Sequence, residues 1–213
     1  MSRSGGLGRN SGRDSNSNLR CSGSCDDKIA HYDKNMRAEI LDKPPISGTI
    51  GEMQFDAIGD CTWVRFSNSS QEWAGIFGKG NIAKHVNAVT IFDNGKCAFV
   101  IAGGQGYVVN LEKRSLQHKT PDDYLQDAIA IPQRDLILTC NYTNLMIYDS
   151  TKKLWESDRV ALDGIKFTGA NSKEVSGYIW QGDGWYSFVF DLNQKALIEQ
   201  KFVSAEWDPL DKK

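Results

Sequence analysis

Three ten-residue segments of this chain align on one register, and that repeat limits the folds open to it. They run from Tyr107 to Leu116, from Met146 to Trp155 and from Phe188 to Leu197. Each opens as an apolar strand and ends on a short polar residue: Asn110, Asp149 or Asp191. A basic residue follows four places later and a large apolar one six places later. The anchors stand 39 and 42 residues apart. A short acid or amide at a strand end can accept hydrogen bonds from the amides of the following turn, so Asn110, Asp149 and Asp191 are expected turn caps. The next strand then returns with its apolar side chain on the same layer.

The register extends upstream. Ala98, Ile137 and Ile179 stand twelve residues before the anchors, each in a strand-like stretch: Cys97 to Ile101, Leu136 to Cys140 and Val175 to Trp180. Turns rich in Gly, Asn and Asp follow these stretches, at 103–106, 141–144 and 181–184. Such residues tolerate the positive φ that hairpins require. Ala88 to Phe92 and Ala128 to Ile131 add earlier strands, and Asn94-Gly95 is a strong hairpin signal. One unit is therefore four strands in about 40 residues, the period of a propeller blade. A weaker copy occupies the first half, with strands expected at Trp63 to Phe66, Glu72 to Gly78 and Ile82 to Val86, and others within Gly48 to Ile58. An extra hairpin edge is expected in Val160 to Gly169, with Ile165 and Phe167 pairing to Val175.

The expected fold class is all-β: antiparallel hairpin repeats in a small propeller-like or open β-sheet domain, with a disordered N-terminal tail. Residues 48–213 form the repeat-built domain, with room for about four units. An open sheet would leave edges able to pair between subunits. Residues 1–47 are the expected tail and linker. Up to residue 25 they are mostly Ser, Gly, Asn and Arg, with only Leu7 and Leu19 large and apolar. Such a segment cannot recover its ordering entropy by burial. Residues 26–43 suit a short helix or a strand laid against the domain, ended by Pro44-Pro45.

From Gly103 through Leu116, and again from Tyr142 through Trp155, the sequence resembles blades of β-propeller proteins. It departs from the WD type: Tyr148-Asp149 is the nearest thing to a Trp-Asp end, and the Gly-His element is missing. Trp155 to Ile165 and Gly177 to Asp191 are also similar to uncharacterised bacterial proteins of this size. That resemblance implies no activity, cofactor or ligand.

Motifs for chemistry are sparse. His31, His85 and His118 are scattered, and none makes a ligand pattern with a neighbouring acid. Cys21, Cys25 and His31 lack both tight spacing and a fourth ligand. Gly75 to Gly80 lacks the spacing and the Ser or Thr of a phosphate loop, and no Gly-x-Ser-x-Gly is present. No catalytic residue, metal or cofactor is expected. The near-neutral net charge of −2 argues against a nucleic-acid protein. No stretch approaches a membrane span, and without a secretory signal the expected location is cytoplasmic.

The leading expectation is a non-catalytic binding or scaffold protein whose partner is a protein or a second copy of itself. Sparse histidines and a repeat that displays turns support it. Tyr142, Trp155, Trp185 and Asp163 are the candidate binding residues, because aromatics beside polar turns suit a protein hot spot or a sugar face. Two alternatives remain open. A carbohydrate-binding module would hold Trp155, Trp185 or Tyr142 flat on an exposed face. A carboxylate hydrolase would use acids such as Asp163 and Asp183 across a concave site.

Overall fold

In the computed structural model, residues 36–46, 48–81, 86–206 and 209 are described. They belong to one unit, Tyr32–Lys213, and form sixteen strands in four sheets of four, with no helix among them. The first sheet holds β1 (Arg37–Leu41), β2 (Gly51–Phe55), β3 (Cys61–Ser67) and β4 (Glu72–Gly78). The second holds β5 (Asn87–Ile91), β6 (Cys97–Ala102), β7 (Gln105–Asn110) and β8 (Ser115–Lys119). The third holds β9 (Asp127–Ile131), β10 (Leu136–Cys140), β11 (Leu145–Tyr148) and β12 (Lys153–Glu156). The fourth holds β13 (Ile165–Ala170), β14 (Glu174–Trp180), β15 (Trp185–Asp191) and β16 (Ala196–Ser204).

The last three sheets are antiparallel meanders, each running outward from its first strand. Local chemistry explains the hairpins. Ala102 pairs directly with Gln105, leaving a two-residue turn in which Gly103 and Gly104 have φ of 51° and 90°. Positive φ at both central residues matches the right-handed twist of the flanking strands, and glycine adopts it without a Cβ clash.

The anchors close equivalent turns. Asn110, Asp149 and Asp191 end the third strand of their sheets or follow it directly. The upstream match slips once. Ala98 pairs with Val109 and Ile137 with Tyr148, one residue before each anchor. In the fourth sheet that position belongs to Val175, which faces Phe190, not to Ile179. β14 and β15 are seven residues each, so the whole hairpin is longer. Ile165–Ala170 is likewise the regular inner strand of that sheet, not an extra edge.

The first sheet is built differently. Its order is β1-β3-β4-β2, with β2 parallel to β4. The β3–β4 turn lies beside the β7–β8 turn, where Arg114 donates to Gln71 at 3.3 Å. The far end of β4 lies beside the start of β7, where Tyr107 donates to the Gly78 carbonyl at 2.7 Å. β4 therefore runs opposite to β7. Of the two readings open for residues 26–43 the strand is present: β1 pairs with β3 and packs Ala38 and Ile40 against the second sheet, so the β fold begins before residue 48. One expectation is corrected. Val86 lies outside any strand. The rest of the expected strand at 82–85, and residues 1–35 of the expected tail, lie outside the described residues.

Inner strands pack in sequence: β1 against β5, β5 against β9, β9 against β13. Three apolar clusters fill the seams between successive sheets. Phe66, Trp73 and Phe77 meet Val100 and Tyr107 in the first, where Trp73 stacks on Phe66 at 4.5 Å. Phe99 and Ile101 meet Ile137 and Tyr148 in the second. Leu138 and Ile147 meet Ile165, Phe188 and Phe190 in the third. Among the described residues no such cluster joins the fourth sheet to the first. Among the described residues the apolar seams therefore run from the first sheet to the fourth without one between those two.

Candidate functional site

The cap geometry comes from the turn chemistry. Asn110 Oδ1 accepts the Lys113 amide at 2.7 Å. Asp149 Oδ1 accepts the amides of Thr151 and Lys152 at 2.7 and 2.8 Å, and the Thr151 hydroxyl at 2.7 Å. Asp191 Oδ1 accepts the amides of Asn193 and Gln194 at 2.8 and 2.7 Å. Burial pushes the Asp149 carboxyl up, but these hydrogen bonds and the Lys152 charge outweigh it and hold the group below its ordinary value.

One end of the unit gathers the hairpin turns that carry Lys96, Lys113, Arg114, Arg134, Lys152, Lys173 and Lys195 together with Asp93, Glu112, Asp135, Asp149 and Asp191. The other gathers turns and sheet-to-sheet connections with Asp122, Asp123, Asp163 and Asp183. Tyr142 and Asp163 both belong to the acidic end, where the Gly164 amide donates to the Tyr142 carbonyl at 2.8 Å. Tyr142 is 38% exposed. Asp163 and Asp183 are exposed, and Asp183 accepts the Tyr186 hydroxyl at 3.0 Å, which raises the phenol pKa. Neither acid lines the two hollows described next.

Those hollows adjoin at the outer margin between the third and fourth sheets. One of about 450 Å³ is lined by Trp155, Asp158, Phe190, Gln194 and Lys195, among others. The other, about 430 Å³, is lined by Arg159, Leu162, Gln181 and Gln200, among others. Val160 and Leu197 line both. Trp155 is half-buried: Phe190 lies 5.6 Å away and the Lys195 ammonium stands over the indole at 5.8 Å. Arg159 is bound to the backbone carbonyls of Ala161 and Leu162 and holds the connection in place. Trp185 is elsewhere, 4% exposed, and packs edge-on against Trp180. The structure thus places Tyr142 and Asp163 together and sets Trp155 and Trp185 apart from them.

Groups suited to covalent chemistry are muted. Burial pushes the thiols of Cys97 and Cys140 up, away from the reactive thiolate. Burial likewise drives the Tyr107 phenol up to about 12. No group of three or more metal-ligating side chains occurs among the described residues.

The feature missed in the sequence is the division of the fourth sheet into two unlike faces. Pairing places Ser176 opposite Val189, Tyr178 opposite Ser187 and Trp180 opposite Trp185, all on one face. The opposite face, with Val175, Ile179, Phe188 and Phe190, fills the third seam. The alternation along β14 was a usable signal for this division. Also missed was the tie between the inner strands β9 and β13. Asp127, 8% exposed, accepts the Phe167 amide at 3.1 Å and pairs with Lys166 at 2.9 Å.

No family model and no curated protein matches the sequence. The solved structures it is similar to are β-propeller proteins, WD40 types among them. A chain from the mitotic checkpoint complex overlays 78% of this chain with 55% of its own length, at a TM-score of 0.50 and 8% identity. Hsv2 from Kluyveromyces lactis covers 55% of this chain and 37% of its own, at 0.37 and 13%. The WD40 domain of SCAP from fission yeast covers 58% of this chain and 34% of its own, at 0.36 and 13%. The likeness is one of fold, and this chain spans from about a third to just over half of those chains' lengths. The fold is propeller-like.

Proposed function

We propose that this chain is a non-catalytic scaffold that binds other protein surfaces, with the outer strands and turns of its sheets as the contact surface. The observation that carries the reading is the fourth sheet, where Trp180 and Val189 are half-buried among Ser176 and Ser187, and Ile198 and Phe202 on the outer strand are 49% and 52% exposed. Aromatic groups set among small polar ones are the composition of protein interfaces, soluble alone and rewarding to bury. The near-neutral net charge of −2 favours a protein partner over a nucleic acid. No helix among the described residues is long and apolar enough to cross a membrane. The cytoplasm is the proposed location, a reducing compartment in which the free thiols of Cys61, Cys97 and Cys140 persist.

The test is a comparison of the full chain with Val189→Lys, each immobilised and exposed to lysate of the source cell. A protein held by the first and released by the second supports the reading. A chain that binds no macromolecule, its own second copy included, overturns it.

A further inference from the structure

We propose that two copies of this chain exchange their first two strands, β1 and β2 of each completing the first sheet of the other. This rests on the scaffold reading and names a second copy as one partner. The sheet order β1-β3-β4-β2 makes residues 37–55 a clip that grips the β3–β4 hairpin from both sides. β1 pairs along β3 on one edge, and β2 pairs along β4 on the other. The hairpin thus separates the two strands of the clip and holds each of them in place. Phe55 anchors β2: it is 5% exposed, stacks on Phe77 at 4.9 Å and meets Trp73 edge-on at 6.5 Å. The other four residues of β2 are exposed, and β2–β4 is the one parallel pair among the described strands. Parallel pairing is slightly the weaker per residue, and a strand with little buried area opens at low cost.

The link from β2 to β3 favours exchange. Residues 56–60 cross the end of β4, from Phe55 beside Phe77 to Cys61 beside Gly78. The crossing is tight: the Asp56 carbonyl oxygen lies where a Cβ on Gly78 would collide with it. Asp56 and Gly59 hold φ of 49° and 74°, and the left-handed region costs Asp56 free energy. Ile58 in the link is 89% exposed. Stretched out, such a link reaches about 17 Å, far enough to hand the clip to a neighbouring hairpin. Asp56 then regains an extended backbone, and two links running side by side cover the two Ile58 side chains with each other. A second copy is the occupant that fits, because its clip brings the same Ala38, Ile40 and Phe55 to the same seam. The contacts of the closed chain are remade between copies, so the balance rests on the links and on concentration. Short links under strain invite such exchange.

The test reads whose β1 lies on whose β3. Glu39 and Arg65 are register partners with side chains 66% and 41% exposed. In a background with Cys21, Cys25 and Cys61 changed to serine, Glu39→Cys and Arg65→Cys chains are mixed at about 500 µM, diluted and treated with a short bifunctional maleimide. Exchange gives a mixed covalent dimer of twice the 23.8 kDa chain mass, absent when the chains meet only while dilute. A chain carrying both cysteines, crosslinked while dilute, holds its own clip and should stay monomeric by light scattering when concentrated. Ile58→Lys should lower the yield of mixed dimer about tenfold by setting like charges side by side. Circular dichroism and melting of that variant should match the parent, since the side chain is exposed in the closed chain. No mixed dimer from the concentrated mixture overturns the exchange. A yield unmoved by Ile58→Lys, or association that survives in the crosslinked chain, overturns it as well. A chain that shows no exchange and still retains another protein from the lysate leaves the scaffold reading in place.

Discussion

The two faces of the fourth sheet share strands and hydrogen bonds yet differ in content. The face on the third seam presents Ile165, Phe167, Val175, Ile179, Phe188 and Phe190, all buried. The opposite face presents Thr168, Ser176, Tyr178, Trp180, Ser187 and Val189, none of which is buried, and ends on Trp185, which is 4% exposed. A face that must stay dry is filled with side chains that have no polar atoms. A face that is sometimes wet mixes aromatic area with hydroxyls. The difference separates residues that hold the fold from residues that the fold presents.

Substitutions on the two faces should therefore separate by size and by kind. Phe188→Ala, at the centre of the third seam, should cost about 3–5 kcal/mol through lost burial and the cavity left behind. Urea denaturation would show a much lower midpoint, and a midpoint near that of the parent would mean that the seam is loosely packed. Asp127→Ala should cost about 3 kcal/mol, since it strands the Lys166 ammonium and the Phe167 amide at the inner edge of the same seam. Restoring neutrality with Lys166→Met should recover part of that loss, and a double variant no better than the single one would contradict the pairing.

Asp149→Ala should cost about 1 kcal/mol through loss of the turn cap. Its pH dependence has a definite sign. The folded carboxyl lies below its unfolded value, so its contribution is present above the unfolded value and is lost as pH falls through the folded one. The gap between parent and variant should hold near neutral pH and close below about pH 4. A gap that widened in acid would rule out the cap. On the opposite face of the fourth sheet, half-buried Val189→Ser should change stability in urea least, by under about 0.5 kcal/mol, and a larger loss would mean that this face is packed as tightly as the seam.

Much of the fold was legible because the repeat is local. Strand alternation, Asn94-Gly95, Gly103-Gly104 and the three anchor turns act within a few residues, and short-range chemistry is what a sequence shows directly. The misreadings fell where long-range packing decides. Ile179 fits the twelve-residue spacing by count, yet the longer hairpin hands its place to Val175. β2 pairs parallel to β4, a choice made by the layer it completes and invisible in Gly51–Phe55 itself. The candidate site was legible in part. Aromatics late in the chain drew attention, but whether Trp185 is presented or buried depends on Trp180 across the hairpin.

The distance between the first and fourth sheets within one chain is the most direct test of an open arc. Spin labels at Glu39→Cys on β1 and Thr168→Cys on β13, the inner strands, would report it, in a background with Cys21, Cys25 and Cys61 changed to serine and labelled chains diluted into unlabelled ones. An open arc predicts a separation of several sheet spacings, well above the roughly 10 Å between packed sheets. A separation close to 10 Å would mean that the fourth sheet packs on the first in the same chain, closing a four-sheet ring.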